Sequence, residues 1–157
     1  MHIGFPDFTF RPEGWTAAKA GAAIRLVPPG AYVNQSRASM VVSPLVPVHA
    51  ALPDTETLMR QAIAAETAQT GIAVQPDDTW ANLTATSGLA GLRWTLQVRF
   101  PGSERLQWRC YTMFRDASWL YGVHLVADAP TYAHFWDTYE AFCVSIQAVE
   151  PPGAPAP

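Results

Sequence analysis

The sequence is poor in lysine, and it has no long apolar run. Lys19 is the only lysine beside nine arginines, and the formal net charge is −3. Nucleic-acid-binding domains present clustered positive charge, so we expect no nucleic-acid partner. Since no stretch approaches the roughly 20 apolar residues that a membrane-spanning helix needs, we expect no membrane span.

The sequence also lacks a visible leader and a cysteine framework. Met1 to Asp7 contains neither a basic region nor an apolar region of a signal peptide, which predicts a cytoplasmic protein. Two cysteines, Cys110 and Cys143, are too few for a disulfide scaffold. Both fall at predicted buried positions of facing elements, so the thiols could approach each other. Buried free thiols are the commoner state in a reducing compartment, and both states stay open.

Motifs for metal binding and catalysis are missing as well. No Gly-x-Ser-x-Gly elbow and no phosphate-binding glycine loop is present. The Asp77–Asp78 turn groups two acidic residues, but it is expected to face solvent. The histidines lie in different predicted elements without the spacing of metal ligands: His2, His49, His124 and His134. We therefore expect neither an enzyme nor a metal or other cofactor.

What the sequence does contain is a regular alternation of apolar and polar residues. It runs from Leu92 to Phe100, resumes from Leu106 to Phe114 after a Pro-Gly turn, and predicts two strands with one buried face each. The next segment, Trp119 to Val126, is largely apolar in both rows. A strand that is apolar on both faces indicates that the sheet is covered on each side.

Matching the apolar rows predicts how these strands pair. Val98 is expected near Trp108, and Leu96 near Cys110, with the polar rows together on the other face. Arginine, tyrosine and methionine are enriched at protein interfaces. We therefore predict a partner-binding face formed by Arg93, Gln97, Arg99, Gln107, Arg109, Tyr111 and Met113. A homodimer could enlarge this face into a groove, and the alternative is an ordinary solvated face partly covered by a helix.

Weaker signals surround these strands. Three short strands are predicted before the first helix, at Phe8–Arg11, Ala22–Val27 and Ser36–Val42. The helix itself is predicted from its N-cap, Asp54, to Thr70, with Gly71 as the residue after its end. Two strand or edge segments are expected to follow it, at Ile72–Val74 and Trp80–Thr86.

A second helix is predicted near the end of the chain. Asp128 is the expected N-cap, and apolar residues then recur at helical spacing: Tyr132, Phe135, Trp136, Tyr139, Phe142, Cys143 and Ile146. Such a stripe buries on the order of 1,000 Å². We therefore expect this helix to be the main cover of the three-stranded unit.

Together these elements predict one α+β domain over residues 1–149. It is expected to be an α/β/α sandwich around an antiparallel sheet of about six strands. One helix should follow strand three, and the aromatic C-terminal helix should pack on the sheet. Residues 150–157 contain four prolines and are predicted to be a disordered tail.

The order of elements resembles the PsbP-like superfamily over residues 5–149. The resemblance includes Phe8-Thr9-Phe10-Arg11-Pro12-Glu13-Gly14-Trp15 at the head and the small-residue segment Gly88-Leu89-Ala90-Gly91 before the long strands. That grouping includes the photosystem II extrinsic subunit, a Ran-binding nuclear import factor, bacterial DcrB-like lipoproteins and DcrB-domain chaperones of type VI secretion effectors. The resemblance implies an α/β/α sandwich with a protein-binding role, most similar to the secretion-chaperone branch.

We therefore expect a non-enzymatic adaptor or chaperone that holds an apolar segment of a secreted or membrane-inserting protein, such as a secretion effector. The alternative is a carrier of a small apolar ligand or lipid between the sheet and the helices. Aromatic residues on elements expected to face each other suggest this alternative: Trp94, Trp108, Trp136 and Tyr139. Aromatic crowding at such positions is more often plain core.

Overall fold

The computed structural model describes residues 4–29, 38–151 and 153. Within these residues the chain forms nine strands and two helices in one mixed α+β domain. The strands are β1 (Thr16–Ala20), β2 (Ala23–Val27), β3 (Ser39–Val42), β4 (Val46–Pro47), β5 (Ala73–Val74), β6 (Thr79–Thr84), β7 (Ala90–Arg99), β8 (Leu106–Arg115) and β9 (Trp119–Asp128). The helices are α1 (Thr55–Thr70) and α2 (Ala129–Val144). The mixed class is confirmed, but the expected count of about six strands and the placement of the first helix after strand three are wrong.

All strands belong to one antiparallel sheet. The order across it is β1-β2-β3-β9-β8-β7-β5, with β4 also paired to β9 and β6 also paired to β7. The long strands β7, β8 and β9 form the centre. Two short strands lie along each edge of this centre. β3 and β4 pair with different parts of β9, and β5 and β6 pair with different parts of β7. This sharing explains why the strands outnumber the prediction.

The pairing of β7 with β8 differs from the prediction by one residue. Val98 lies opposite Gln107 and Leu96 lies opposite Arg109, instead of opposite Trp108 and Cys110. A shift of one residue moves a whole row of side chains to the other face of a sheet. Alternation did not determine the register because both rows of β8 contain large apolar side chains.

The sheet therefore has a separate apolar cluster on each face. On the α1 side, Met59 and Ile63 pack with Trp94, Leu96 and Val98. On the α2 side, the larger cluster unites the helix with β3, β8 and β9, and its fully buried members include Met40, Cys110, Phe114, Tyr121, Val123, Leu125, Tyr139 and Ile146. The expectation that α2 covers Trp94 and Val98 is wrong, since these side chains pack under α1.

The first helix ends where the sequence predicts. The Asp54 carboxylate accepts a hydrogen bond from the Thr57 amide at 2.8 Å, which satisfies a free donor of the first turn. Gly71 follows the helix with φ 72°, and its N–H donates to the carbonyl of Thr67. Glycine suits this position because a left-handed backbone strains other residues.

The second helix uses its predicted N-cap differently. Asp128 has the extended backbone of an N-cap, yet among the described residues its side chain makes no capping hydrogen bond. Its carboxylate accepts two hydrogen bonds from the Arg105 guanidinium, at 2.7 and 3.0 Å. The predicted aromatic stripe is buried at Phe135, Tyr139 and Phe142.

The amino-terminal part of the chain differs most from the prediction. Phe8–Arg11 is not a strand, and only Phe8 forms an isolated bridge, with Ile146. The first strand is β1, which the sequence did not predict. The strand predicted at Ala22–Val27 is confirmed as β2. The strand predicted at Ser36–Val42 corresponds to β3 in the residues that the structure describes.

The predicted disordered tail lies mostly outside the described residues, as does the start of the predicted third strand. In the part of the chain that the structure describes, neither helix is long and apolar enough to cross a membrane.

Candidate functional site

The seven predicted partner-binding residues do not share one face. The β7–β8 register and the alternation along each strand place Arg93, Gln97 and Arg99 on the α2 side. The other four, on β8, lie on the α1 side: Gln107, Arg109, Tyr111 and Met113. The prediction of one shared open face is therefore wrong, because the pairing of β7 with β8 is shifted by one residue from the predicted pairing.

Arg93 is buried beneath α2. Its side chain donates to the Thr112 hydroxyl at 2.9 Å and forms an ion pair with Glu140. Its guanidinium also lies over the Trp136 ring, 5.0 Å from the centroid, where cation–π attraction adds to the ion pair. With an exposed fraction of 8%, Arg93 belongs to the packing between α2 and the sheet.

Arg109 has the matching position beneath α1. It forms an ion pair with Glu66 and donates to Gln107 at 2.9 Å and to the Tyr111 hydroxyl at 3.2 Å. Burial opposes its charge, but the hydrogen bond to Glu66 and the neighbouring Tyr111 raise the pKa of Arg109 overall. The exposed fraction of Arg109 is 7%. For all seven residues, contact with a partner protein stays a prediction.

The aromatic residues predicted to line a ligand space are also divided by the sheet. Trp94 stacks on Trp80 on the α1 side, with centroids 4.8 Å apart. Trp108, Trp136 and Tyr139 belong to the α2 side. The four side chains therefore do not enclose one space.

Polar groups buried under α2 hydrogen-bond to one another and to the main chain. The Tyr139 hydroxyl lies 2.7 Å from the Thr112 hydroxyl and donates to the Val123 carbonyl at 2.9 Å. Cys110 and Cys143 are both buried free cysteines, and burial raises the pKa of the Cys143 thiol to about 12. These groups have the properties of core residues and not of an activated nucleophile.

An open apolar groove lies at the β1 end of the sheet, beside the amino-terminal segment. Its volume is about 300 Å³. The floor is the α2-side face of β1, β2 and β3, and the walls come from the amino-terminal segment, the turn before β1 and α2. The lining is mostly apolar: Phe5, Pro6, Phe8, Pro12, Trp15, Ala17, Ile24, Leu26, Val42 and Phe142, with Asp7 and Arg11 at the rim.

Main-chain hydrogen bonds hold the first wall in place. The Leu45 amide donates to the Gly4 carbonyl at 3.0 Å, and the Gln147 amide donates to the Asp7 carbonyl at 2.9 Å. Directly after Asp7, Phe8 stacks on Phe142, with ring centroids 3.9 Å apart. The wall is therefore held in place by the folded domain itself.

A tight turn holds the second wall. The Trp15 amide donates to the Pro12 carbonyl at 3.4 Å, and Gly14 has φ 76°. A Cβ at Gly14 would lie 3.2 Å from the Cβ of Pro29, so both the backbone angle and the close approach favour glycine. Trp15 then packs edge-on against Phe135 at 5.5 Å.

A second hollow of about 380 Å³ continues the groove around the β1–β2 hairpin. The two share Phe5, Ala17 and Ile24, and the second is otherwise lined by small residues and by Lys19. Phe5 is 37% exposed at the boundary between them. A large apolar side chain left this open is a feature of surfaces that bind another molecule when it belongs to a wider apolar patch.

Few charged groups line the groove and the hollow. These groups are Lys19 and the exposed Asp7–Arg11 ion pair, at 3.3 Å. In the described ranges no three His, Cys, Asp or Glu side chains come together as metal ligands. The sequence did contain a signal for this site, namely the aromatic residues around the Pro-Glu-Gly-Trp turn, but these lack the periodicity on which the strand and helix predictions depended.

Comparisons with known proteins bear on the fold. No protein-family model matches this chain, and no curated protein sequence is similar enough to match. Among solved structures, it is similar to the cyanobacterial PsbP protein CyanoP of Synechocystis sp. PCC 6803, with a TM-score of 0.59 and 9% identity over 88% of this chain and 84% of that one. It is also similar to LpqN of Mycobacterium tuberculosis, with a TM-score of 0.58 and 13% identity over 93% of this chain and 85% of that one.

PA94 of Pseudomonas aeruginosa is a further structural match, with a TM-score of 0.48 and 13% identity over 87% of this chain and 98% of that one. The similarity to CyanoP and LpqN supports the PsbP-like fold that the order of elements suggested. At these identities the likeness concerns the fold alone.

Proposed function

We propose that this PsbP-like domain is a non-enzymatic protein-binding module, and that it holds an apolar segment of a partner protein in the groove beside its amino-terminal segment. The observation that carries the proposal is the combination of an apolar floor, fixed walls and the exposed Phe5. Burying one Leu- or Phe-sized side chain in such a site contributes roughly 1.5–3 kcal/mol.

The walls, which main-chain hydrogen bonds and ring packing hold in place, support a binding role over a purely structural one. A binding site that is already ordered loses little conformational entropy when it is occupied. Within this proposal the module acts in the cytoplasm as an adaptor or chaperone for a secreted or membrane-inserting protein, such as a secretion effector. LpqN is involved in cell envelope biogenesis in Mycobacterium tuberculosis, a setting compatible with such a partner.

Position-specific cross-linking in host cells tests the proposal. A photo-reactive amino acid at Ala17, on the groove floor, should capture one partner through an apolar segment that mass spectrometry can map. Thr16 supplies a matched control, because it precedes Ala17 on the same exposed strand and points to the other face. We expect Ala17→Glu to abolish copurification of that partner and Thr16→Glu to retain it.

Two results would contradict the proposal. Capture from position 16 without capture from position 17 would show that the groove is not the contact. A lipid-sized mass that native mass spectrometry detects on the wild-type chain, and that Ala17→Glu removes, would favour the small-ligand carrier.

A further inference from the structure

The groove runs beside an unpaired sheet edge. In the described part of the chain, β1 pairs with β2 and with no second strand. Residues 16–19 of β1 are exposed, and the strand consists largely of alanine. The groove and the edge therefore present apolar surface and main-chain hydrogen-bonding groups at one place.

The hairpin geometry tells which main-chain groups of β1 are free. Ala20 pairs with Ala23 across the Gly21–Ala22 turn, in which Gly21 has φ 62°. In a two-residue hairpin the pair next to the turn is hydrogen-bonded, and bonded pairs then alternate along antiparallel strands. Thr16 and Ala18 therefore bond to β2, whereas Ala17 and Lys19 direct their N–H and C=O groups outward.

We infer that the partner segment binds as an added antiparallel or parallel strand on the edge of β1, with an apolar side chain opposite Ala17 and a carboxylate opposite Lys19. This inference rests on the proposed function and specifies how the segment is bound. An extended peptide is the occupant that uses both features, because a helix satisfies its own main chain and cannot pair with an edge.

The side chains of β1 fit this mode of binding. Ala17 and Lys19 share the groove side of the strand, so the residues across from them point to that side as well. Directly paired Cβ atoms lie about 4.5–5.5 Å apart, and a methyl group at position 17 leaves room for a larger partner side chain to reach Phe5 and Ile24. Lysine on an edge strand disfavours non-specific pairing, and a carboxylate opposite it removes that penalty.

A synthetic peptide tests the inference directly. The probe is a capped ten-residue peptide of alternating threonine and leucine in which one leucine is replaced by glutamate, and its control has glutamine at that position. On binding, hydrogen exchange should slow at the amides of Ala17 and Lys19 and stay unchanged at Thr16 and Ala18, which already bond to β2. The glutamate peptide should bind about two- to fivefold more tightly than the glutamine peptide, and Lys19→Glu should reverse that order.

A proline variant blocks the edge at a position whose N–H does not bond to β2. Lys19→Pro removes an outward N–H and should abolish binding, whereas Lys19→Gln, which removes only the charge, should retain it. Unfolding of both variants measures whether the hairpin is intact. Ala17→Pro serves as the second blocking variant if Lys19→Pro is not folded.

The outcomes separate this inference from the proposed function. Suppose that Ala17→Glu prevents binding of the peptide, but that binding does not slow hydrogen exchange at the amides of Ala17 and Lys19. This result overturns strand addition and leaves the groove proposal standing. Strand addition is also overturned if neither peptide binds while cross-linking from position 17 still maps to an apolar partner segment. The groove proposal stands in that case as well. Protection of these amides without peptide, in a chain that sediments as a dimer, assigns the edge to a second copy and overturns the inference.

Discussion

Arg93 and Arg109 extend from neighbouring strands to opposite faces of the sheet, and each forms an ion pair with a glutamate of the helix that covers its face. Glu140 of α2 binds the first, and Glu66 of α1 binds the second. The two pairs join the helices to the sheet at sites where the arginine is buried and the glutamate is partly exposed. They explain why both strands carry arginine at positions that alternation alone assigns to solvent.

Removal of either glutamate should destabilise the domain. Glu140→Gln leaves the Arg93 guanidinium buried without its counter-charge, and the loss of a charged hydrogen bond costs about 1–3 kcal/mol. Glu66→Gln should cost less, because Arg109 keeps two hydrogen-bond partners, Gln107 and Tyr111, whereas Arg93 keeps one, Thr112. Urea unfolding of the two variants, with the exposed-pair variant Glu56→Gln as control, measures the order. A larger loss for Glu56→Gln would contradict the assignment of Arg93 and Arg109 to the core.

Gly91 should not tolerate alanine. A Cβ at this position would lie 2.7 Å from Cδ1 and 2.8 Å from Cε1 of Phe114 on the neighbouring strand, and overpacking of this kind costs about 1–3 kcal/mol. Gly4→Ala is the control, since no heavy atom of the described chain lies within 4 Å of a Cβ there. Thermal unfolding should show a lower Tm for Gly91→Ala alone. An unchanged Tm would mean that β7 and β8 are further apart at Phe114 than the structure shows.

Acidification should destabilise the domain through His124. Burial lowers the pKa of His124 to about 4 from an ordinary value of 6.5, and Nδ1 has no hydrogen-bond partner in the ranges that the structure describes. The unfolded chain therefore binds a proton near pH 6.5 that the folded chain resists. The free energy of unfolding is therefore unaffected by the titration of His124 above pH 6.5, and it declines as the pH falls from 6.5 toward 4.

The free energy of unfolding, measured between pH 7 and pH 5, tests this prediction. The wild-type chain should lose on the order of 1–3 kcal/mol over this range, and His124→Gln should lose less. Parallel pH profiles for the two proteins would show that His124 is not the group responsible.

Cys110 and Cys143 should be unreactive in the folded protein. Burial is the main cause that raises the pKa of each thiol, and a thiol reagent attacks the thiolate. At pH 8 we expect slow labelling of the native chain and rapid labelling of two thiols per chain in denaturant. Fewer than two thiols in denaturant without reductant would reveal a disulfide.

The local elements were predictable from the sequence because local chemistry determines them. The caps of α1 at Asp54 and Gly71, the three long strands and the aromatic stripe of α2 all follow from residues close together in the chain. A polar cap, a glycine in left-handed backbone and a repeated apolar spacing act within a few residues.

The register and the groove depended on the tertiary structure. Both rows of β8 are apolar enough to be buried, so the sequence pattern allowed Leu96 to face either helix, and packing beneath α1 placed it opposite Arg109. The groove joins Phe5, Ile24 and Phe142, which are far apart in the chain and follow no period. The sequence by itself determined the positions of the three long strands and of the two helices, whereas only long-range packing decided which face each side chain occupies and where a partner could bind.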